Sequence, residues 1–308
     1  MKDLLKIWKI TWIHFQNPKK SELLEIWEEY DLHEIIIDDI VEDGTQDKID
    51  TYDNHIFMVF HFPKYDQKQK RYISNELSVI LWKNFIITIS SHHTTHIEKI
   101  KQDYIWETAN LEDPEKYKIT PYYILYKIID VMFDKTLKLL NKSTRDIVIL
   151  EEEIFSNQWL NKALLEELMI KRRNLVFLKH LFIPQEEIIL ELQKTIEKFY
   201  GRQLDLYFED LQYKLDKIDN NISILTKNIS SLSEIYNSLM NIKLNSVISR
   251  LTWFTLIIWT LTFIVWIYGM NVGLPFENSP YAFMSIFSLM LCISGIMFFI
   301  FKKRWWFD

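Results

Sequence analysis

Residues 266–280 read WIYGMNVGLPFENSP and separate two long apolar segments near the C-terminus. The chain has only 5 glycines in 308 residues, and two of them, Gly269 and Gly273, stand in this stretch. Glycine allows backbone carbonyls to approach a common axis because no Cβ intervenes. A Gly-x-Asn sequence can also simply end a helix. The stretch therefore predicts either a plain helix end or a ring of oxygens supplied around Gly269, Met270 and Asn271.

The two flanking segments, residues 247–268 and 281–301, are long and apolar enough to cross a membrane. About 22 and 21 residues span a hydrocarbon core of about 30 Å at 1.5 Å per residue. The connection over residues 271–280 contains no Lys or Arg. Basic residues stand instead on the outer flanks of both segments: Lys243, Arg250, Lys302, Lys303 and Arg304. The positive-inside rule then predicts a multi-pass protein of the cell membrane with both termini in the cytoplasm.

The composition excludes several classes of protein. With 36 basic and 42 acidic residues the net charge is −6, which argues against a nucleic-acid partner because phosphate binding needs a basic face. The sequence contains no P-loop, Gly-rich dinucleotide turn or zincin motif, so no enzyme is predicted. His92, His93 and His96 could be zinc ligands, but a solvated loop is the simpler interpretation.

The soluble part divides by its hydrophobic periodicity. Residues 1–115 mix strand-like runs at 55–62 and 77–90 with a helix at 21–32 and predict an α/β domain. Beyond them the period becomes helical. We expect a helical hairpin over 116–200, a stalk helix over 201–246 that is continuous with the first span, and a membrane domain over 247–308.

An apolar stripe with alternating steps of four and three runs along the predicted stalk. Such a heptad pattern favours association between long parallel helices, although packing inside a helical bundle is an alternative. No Gly or Pro occurs between Arg202 and Tyr268, so one helix of roughly 65 residues, about 100 Å long, is expected. The stripe comprises Leu204, Phe208, Leu211, Leu215, Ile218, Ile222, Leu225, Ile229, Leu232, Tyr236 and Leu239.

A second stripe, polar and mostly uncharged, continues into the first span. Hydroxyl groups inside a span can tighten helix–helix contacts. Alternatively, a ring of such helices can enclose water, and uncharged oxygens let a hydrated cation pass without trapping it. The stripe comprises Glu234, Ser238, Asn241, Asn245, Thr252, Thr255 and Thr262.

At this point the sequence resembles the CorA family of divalent-cation channels over nearly its whole length. The tetrapeptide YGMN at 268–271 ends the first of two C-terminal spans, as in that family. Five further segments resemble the family: YDLHEIIIDDI at 30–40, ILEEEIF at 149–155, KRRNLVFLKH at 171–180, LTFIVWIYGMN at 261–271 and FKKRWW at 301–306. The resemblance implies a CorA-like pentameric funnel: an α+β cytosolic domain, a long helical hairpin and stalk helix, and two transmembrane helices.

The resemblance also implies roles for individual residues. Gly269, Met270 and Asn271 match the selectivity filter. Pore-lining positions are implied for Asn245, Leu251, Thr255, Trp259 and Thr262, with Leu251 at a hydrophobic constriction. Trp259 departs from the smaller flexible side chain usual in the family, which alters the shape of the mid-pore gate. The loop offers only Glu277 as an acid at the outer mouth.

Asp39 and Asp210 match a pair that holds regulatory Mg²⁺ between neighbouring subunits, and Asp38 and Glu209 stand beside them. The implied function is a homopentameric channel for hydrated Mg²⁺, and also for Co²⁺ and Ni²⁺, that cytosolic Mg²⁺ closes. Two alternatives remain open at this point: a zinc-preferring transporter of the same superfamily, which Met270 disfavours, and a non-conducting, membrane-anchored Mg²⁺ sensor or scaffold.

Overall fold

The structure, a computed structural model, describes residues 2–7, 9–41, 45–90, 95–109, 118–156, 161–270 and 280–305. Six strands form one mixed sheet in the order β1-β2-β6-β5-β4-β3. Only β2 and β6 pair in parallel, and the other neighbours are antiparallel. The strands are β1 (Lys2–Ile7), β2 (Ile10–Gln16), β3 (Lys48–Thr51), β4 (Ile56–Asp66), β5 (Arg71–Leu81) and β6 (Phe85–Ser90).

Both faces of the sheet are covered, which explains why its central strands are apolar without alternation. Residues 56–60 of β4 are all buried, as are residues 85–90 of β6. One face packs against α1 (Lys20–Tyr30) and α2 (Glu34–Val41) through a cluster that includes Ile26 and Ile36. The run at 77–90, predicted as strand, contains the end of β5 and all of β6. The two strands are joined by a tight turn, in which the Trp82 backbone N–H donates to the Phe85 carbonyl.

Long helices follow the sheet. They are α3 (Thr95–Ala109), α4 (Pro121–Ser156), α5 (Lys162–Phe182) and α6 (Gln185–Tyr200). Phe133 of α4 lies 6.3 Å from both Phe62 of β4 and Phe182 of α5, between ring centroids. This aromatic group fastens the hairpin of α4 and α5 to the second face of the sheet. The predicted α+β domain with a helical hairpin is confirmed.

The heptad stripe lies on α7 (Asp205–Tyr268), a single helix of 64 residues. From Leu204 to Leu232 every apolar stripe residue is buried within the chain. Rings of Tyr207 and Tyr126 of α4 lie 4.9 Å apart, and Gln212 bonds to Gln193 of α6. This part of the stripe therefore packs against the chain's own helices, so its interpretation as a seam between parallel copies is wrong there. Periodicity identifies a buried face but does not identify what buries it.

The chain divides into two compact units, residues 1–233 and 234–308. The second unit contains the rest of α7 and α8 (Ala282–Trp305). Trp253 stacks on Phe301 with 4.1 Å between ring centroids. Both helices carry a stretch long and apolar enough to span a membrane, and none of it is buried within the chain. The predicted pair of membrane helices is confirmed, whereas the division into four segments ending at residues 115, 200, 246 and 308 stays a prediction.

Three ionisable side chains, His61, Asp47 and Glu76, form a partly buried group on the sheet. His61 of β4 contacts Asp47 through Nδ1. Its Nε2 lies 3.7 Å from Glu76, the residue opposite His61 on β5. Gln185 at the start of α6 donates to the His61 carbonyl at 2.6 Å. Burial opposes the charge on His61, but hydrogen bonds to Asp47 and Glu76 outweigh it and raise the pKa to about 9.

This pKa predicts a loss of stability at alkaline pH. The folded pKa lies above the ordinary value of 6.5, so the contribution is complete below pH 6.5 and disappears as pH rises through about 9. It is on the order of 1–3 kcal/mol. We expect His61→Gln to lower the thermal midpoint of the purified protein at pH 7. At pH 9.5 the thermal midpoints of the variant and the parent should differ by less than at pH 7.

The control is His180→Gln on the exposed side of α5, which should follow the parent's pH profile. A His61→Gln variant that differs from the parent by the same amount at both pH values would show that the imidazolium is not responsible.

Candidate functional site

The first candidate region is the end of α7 and the residues that follow it. Gly269 donates its N–H to Val265 at 2.9 Å, and Met270 donates to Ile267 at 3.3 Å. A Cβ added at Gly269 would lie 3.2 Å from the Val265 carbonyl oxygen, which is a tight contact. Glycine therefore lets the last turn close without steric conflict. Met270 is 59% exposed. Asn271 and Glu277 lie outside the described residues, as do His92, His93 and the side chain of His96.

The predicted pore-lining residues share one side of α7 in the second unit. With about 100° per residue, Leu251, Thr255 and Thr262 project about 160–180° away from Trp253, which contacts α8. Trp259 projects about 120° away. All of these lining residues, and Asn245 two turns earlier, are exposed. Leu251, Thr255 and Thr262 therefore lie on the face of α7 opposite Trp253, whereas Asn245 projects only about 80° away from Trp253.

Two threonines on this helix, Thr252 and Thr255, direct their hydroxyl hydrogens toward the backbone of the preceding turn. Thr255 donates to the Leu251 carbonyl and Thr252 to the Ile248 carbonyl, both at 2.9 Å. Since each hydroxyl has one hydrogen, its remaining lone pairs are acceptors that point outward. A hydrated cation presents water hydrogens at its surface, so this face has the complementary chemistry.

Two large apolar side chains interrupt the polar face. Leu251 is 64% exposed and Trp259 is 74% exposed within the chain. Neither side chain has an oxygen that can accept a hydrogen bond from water. A ring of either residue would narrow and dry the enclosed space, and hydrophobic constrictions gate pores by excluding water.

The predicted regulatory residue Asp39 already has a cationic partner. Its Oδ2 accepts from Lys48 Nζ at 2.7 Å, and the same Nζ lies 3.0 Å from Asp50. Burial alone lowers the pKa of Lys48, but hydrogen bonds to Asp39 and Asp50 raise it overall. Asp38 points to solvent and lies 3.8 Å from Lys20.

Asp210 belongs to a separate cluster on α7 and α4. Lys214 Nζ lies 3.8 Å from Asp210, donates to Asp134 at 2.8 Å, and also bonds to Asp130. Burial alone lowers the pKa of Lys214, but the bonds to Asp130 and Asp134 raise it well above its usual range. Glu209 beside Asp210 is exposed.

The structure therefore places Asp39 and Asp210 in two different ion-pair clusters. Sequence reasoning missed these lysine partners, although Lys48 is 9 residues from Asp39 and Lys214 is 4 residues from Asp210. It also missed Asp130 and Asp134, which are 84 and 80 residues away from Lys214. One signal was available, since Asp130 and Asp134 stand at i and i+4 on one helix face. Among the residues that the structure describes, no group of three or more His, Cys, Asp or Glu is arranged to hold a metal ion.

Comparisons with known proteins agree with this geometry. Residues 9–303 match the sequence model of a family described as CorA-like Mg²⁺ transporter protein. The cobalt/magnesium transport protein CorA of Thermotoga maritima is 26% identical over 298 residues, which cover 96% of this chain and 83% of that protein. The putative metal ion transporter YfjQ of Bacillus subtilis is 24% identical over 298 residues, covering 96% and 90%.

The fold agrees as well. The complete structure of the CorA magnesium transporter from Methanocaldococcus jannaschii superposes with a TM-score of 0.83 and 19% sequence identity. The match covers 98% of this chain and 93% of that one. The resemblance stated from the sequence is thus confirmed, because the matching family model covers almost the entire length: the chain belongs to the CorA-like Mg²⁺ transporter family.

Proposed function

We propose that this protein conducts hydrated divalent cations, chiefly Mg²⁺ and also Co²⁺ and Ni²⁺, along the polar face of α7. The observation that carries the proposal is the exposed row of acceptor oxygens on the side of α7 away from Trp253 and α8. The hydroxyl hydrogens are bonded to the preceding turn, but the outward lone pairs find no donor in hydrocarbon, whereas water supplies one. The row is explained if water and ions lie along it.

One copy of α7 and α8 cannot enclose a lumen, so the pathway requires several copies of this chain. Five is the number implied by the family resemblance, with α7 of each copy lining the axis and α8 facing lipid. Both termini are proposed to lie in the cytoplasm, because the basic residues Lys302 and Lys303 follow the second span.

Selection is proposed to occur at Gly269, Met270 and Asn271. Mg²⁺ gives up its waters reluctantly and demands octahedral geometry, so a ring that hydrogen-bonds to the hydration shell suits it better than direct ligands. Asn271 would supply one amide oxygen per subunit. Gly269 keeps the end of α7 compact, since the Val265 carbonyl leaves little space for a Cβ.

Cytosolic Mg²⁺ is proposed to close the channel through Asp39 and Asp210 of adjacent copies, flanked by Asp38 and Glu209. Asp210 stands between Leu206 and Tyr213 on one face of α7, and these apolar side chains are 78% and 66% exposed. Ile35, one turn before Asp39, is 52% exposed. Uncovered apolar groups around both carboxylates support contact with another copy there.

A non-conducting Mg²⁺ sensor is the second candidate. Trp259 favours it, because five exposed indoles at one level would fill a narrow pore. A zinc-preferring transporter has no comparable support from the described residues, and the same flux experiment separates all three functions.

The first test measures ion entry into liposomes that contain the purified protein. We expect Mg²⁺ uptake by the parent and a loss of at least about tenfold in Asn271→Ala, because the ring then lacks its amide oxygens. Native mass spectrometry should give five copies for both. Uptake of Zn²⁺ that exceeds uptake of Mg²⁺ would favour the zinc transporter, no flux at all would favour the sensor, and a monomer or dimer would contradict the ring.

The second test compares two threonines one and a half turns apart. Thr255→Val removes an acceptor from the proposed lining, whereas Thr260→Val removes a hydroxyl with the same 2.9 Å bond to the preceding turn on the partly covered side. We expect Thr255→Val to reduce Mg²⁺ flux several-fold and Thr260→Val to leave it near the parent's rate. Equal rates in the two variants would place the pathway elsewhere.

The third test concerns closure. A cation bound by two carboxylates cancels their repulsion and so favours the closed state for which it has the higher affinity. Asp210→Asn and Asp39→Asn should each stay conductive at internal Mg²⁺ levels that shut the parent, and Mg²⁺ should protect them less from protease. Closure of both variants at the parent's Mg²⁺ level would remove the regulatory role and leave the pore assignment intact.

A further inference from the structure

Lys48 is held in place beside the first regulatory carboxylate. It lies on β3, where its backbone pairs with Val59 of β4. Its Nζ reaches both Asp39 and Asp50 and lies 5.5 Å from the centroid of the Phe57 ring. The Thr45 hydroxyl donates to the Asp39 carbonyl at 2.8 Å and so links Thr45 to α2. The ammonium is therefore a fixed part of the site.

Lys214 plays the same part beside the second carboxylate. Its side chain is only 18% exposed, and the carboxylates of Asp130, Asp134 and Asp210 surround its Nζ. Three carboxylates and one ammonium leave two formal negative charges, whereas two carboxylates and one ammonium leave one around Lys48. Each cluster has lost one unit of the attraction that would draw a divalent cation.

An ammonium and a hydrated Mg²⁺ use the same lone pairs. The waters of a hexahydrated ion donate to carboxylate oxygens, as Lys Nζ does in both clusters. Binding of the ion must therefore displace the lysine or accept its repulsion at short range. No such cost arises at a carboxylate that faces solvent alone.

We propose that Lys48 and Lys214 compete with the divalent cation for the carboxylates of the Asp39–Asp210 site. They thereby raise the Mg²⁺ concentration at which that site responds. The inference rests on the regulatory role proposed above for these two carboxylates. It adds the regulatory device itself: the concentration at which Mg²⁺ acts is determined by two lysines that are not ligands.

The test measures the thermal midpoint of the full-length protein in detergent as MgCl₂ is raised at constant ionic strength. We expect the parent to gain stability with Mg²⁺, and Lys48→Gln and Lys214→Gln each to reach half of that gain at a Mg²⁺ concentration roughly 3- to 10-fold lower. Loss of one nearby charge from a partly buried site changes affinity by this order. In liposomes the same variants should close at correspondingly lower internal Mg²⁺.

Two further variants control for mere loss of a salt bridge. Lys48→Arg keeps the charge and should keep the parent's Mg²⁺ dependence. Lys171→Gln breaks a comparable pair, since its Nζ lies 2.6 Å from Asp146 and its side chain is 21% exposed. Asp146 lies 16 residues beyond Asp130 on α4, about 24 Å along the helix. Lys171→Gln should therefore lower stability without moving the Mg²⁺ midpoint.

Lys214→Gln leaves three carboxylates uncompensated, so it should be less stable than the parent in EDTA and recover as Mg²⁺ is added. If it does not fold, Lys48→Gln still decides the question, because only two carboxylates surround that position. Unchanged Mg²⁺ midpoints in the lysine variants would overturn the competition and leave the regulatory pair standing, provided Asp39→Asn and Asp210→Asn weaken the response. A parent without any Mg²⁺ response would overturn both.

Discussion

A backbone amide inside hydrocarbon has no water to bond, so a segment that crosses a membrane must pair its own N–H and C=O groups. This requirement explains why the apolar end of α7 is helical throughout. The whole helix, 64 residues long, contains no Gly or Pro. The first unit uses the beginning of that helix as a core element, and the second unit uses its end as an apolar surface. Glycine returns only at Gly269, where the helix finishes and backbone groups become available again.

The three carboxylates around Lys214 have one structural role and one proposed regulatory role, and the two roles depend on the same ammonium group. Asp130 and Asp134 bind Lys214 and so join α4 to α7, which is a structural duty. Asp210, four residues before Lys214, is the proposed sensor of Mg²⁺. Because one ammonium touches all three, the joint between the helices and the sensing carboxylate share a single charge. Under the proposed regulatory role, a stronger bond between Lys214 and these carboxylates would make Asp210 respond to Mg²⁺ only at higher concentrations.

Much of the fold could be predicted from hydrophobic periods, since β4, α4, α5 and the two membrane helices all follow their sequence patterns. The heptad stripe shows the limit of that method. Its residues are buried as expected, but they are buried by the chain's own helices, including α4 and α6. A period of 3.5 residues does not show which helix is the partner. The prediction of the regulatory site from the sequence had a similar limit. Family resemblance pointed to Asp39 and Asp210. Their lysine partners are close in sequence, since Lys48 is 9 residues from Asp39 and Lys214 is 4 residues from Asp210, but only the fold shows that Asp130 and Asp134 share Lys214.

The threonine hydroxyls on α7 have a consequence for proton movement along the proposed ion pathway. Thr252 and Thr255 commit their only hydroxyl hydrogens to carbonyls one turn earlier. Passing a proton along side chains needs groups that release one hydrogen while accepting another. Threonines fixed in this way accept without releasing, so these side chains form no proton wire. In the proposed pathway, Thr252 and Thr255 can therefore offer oxygens to a hydrated metal ion, while their bonded hydrogens are not available to relay a proton.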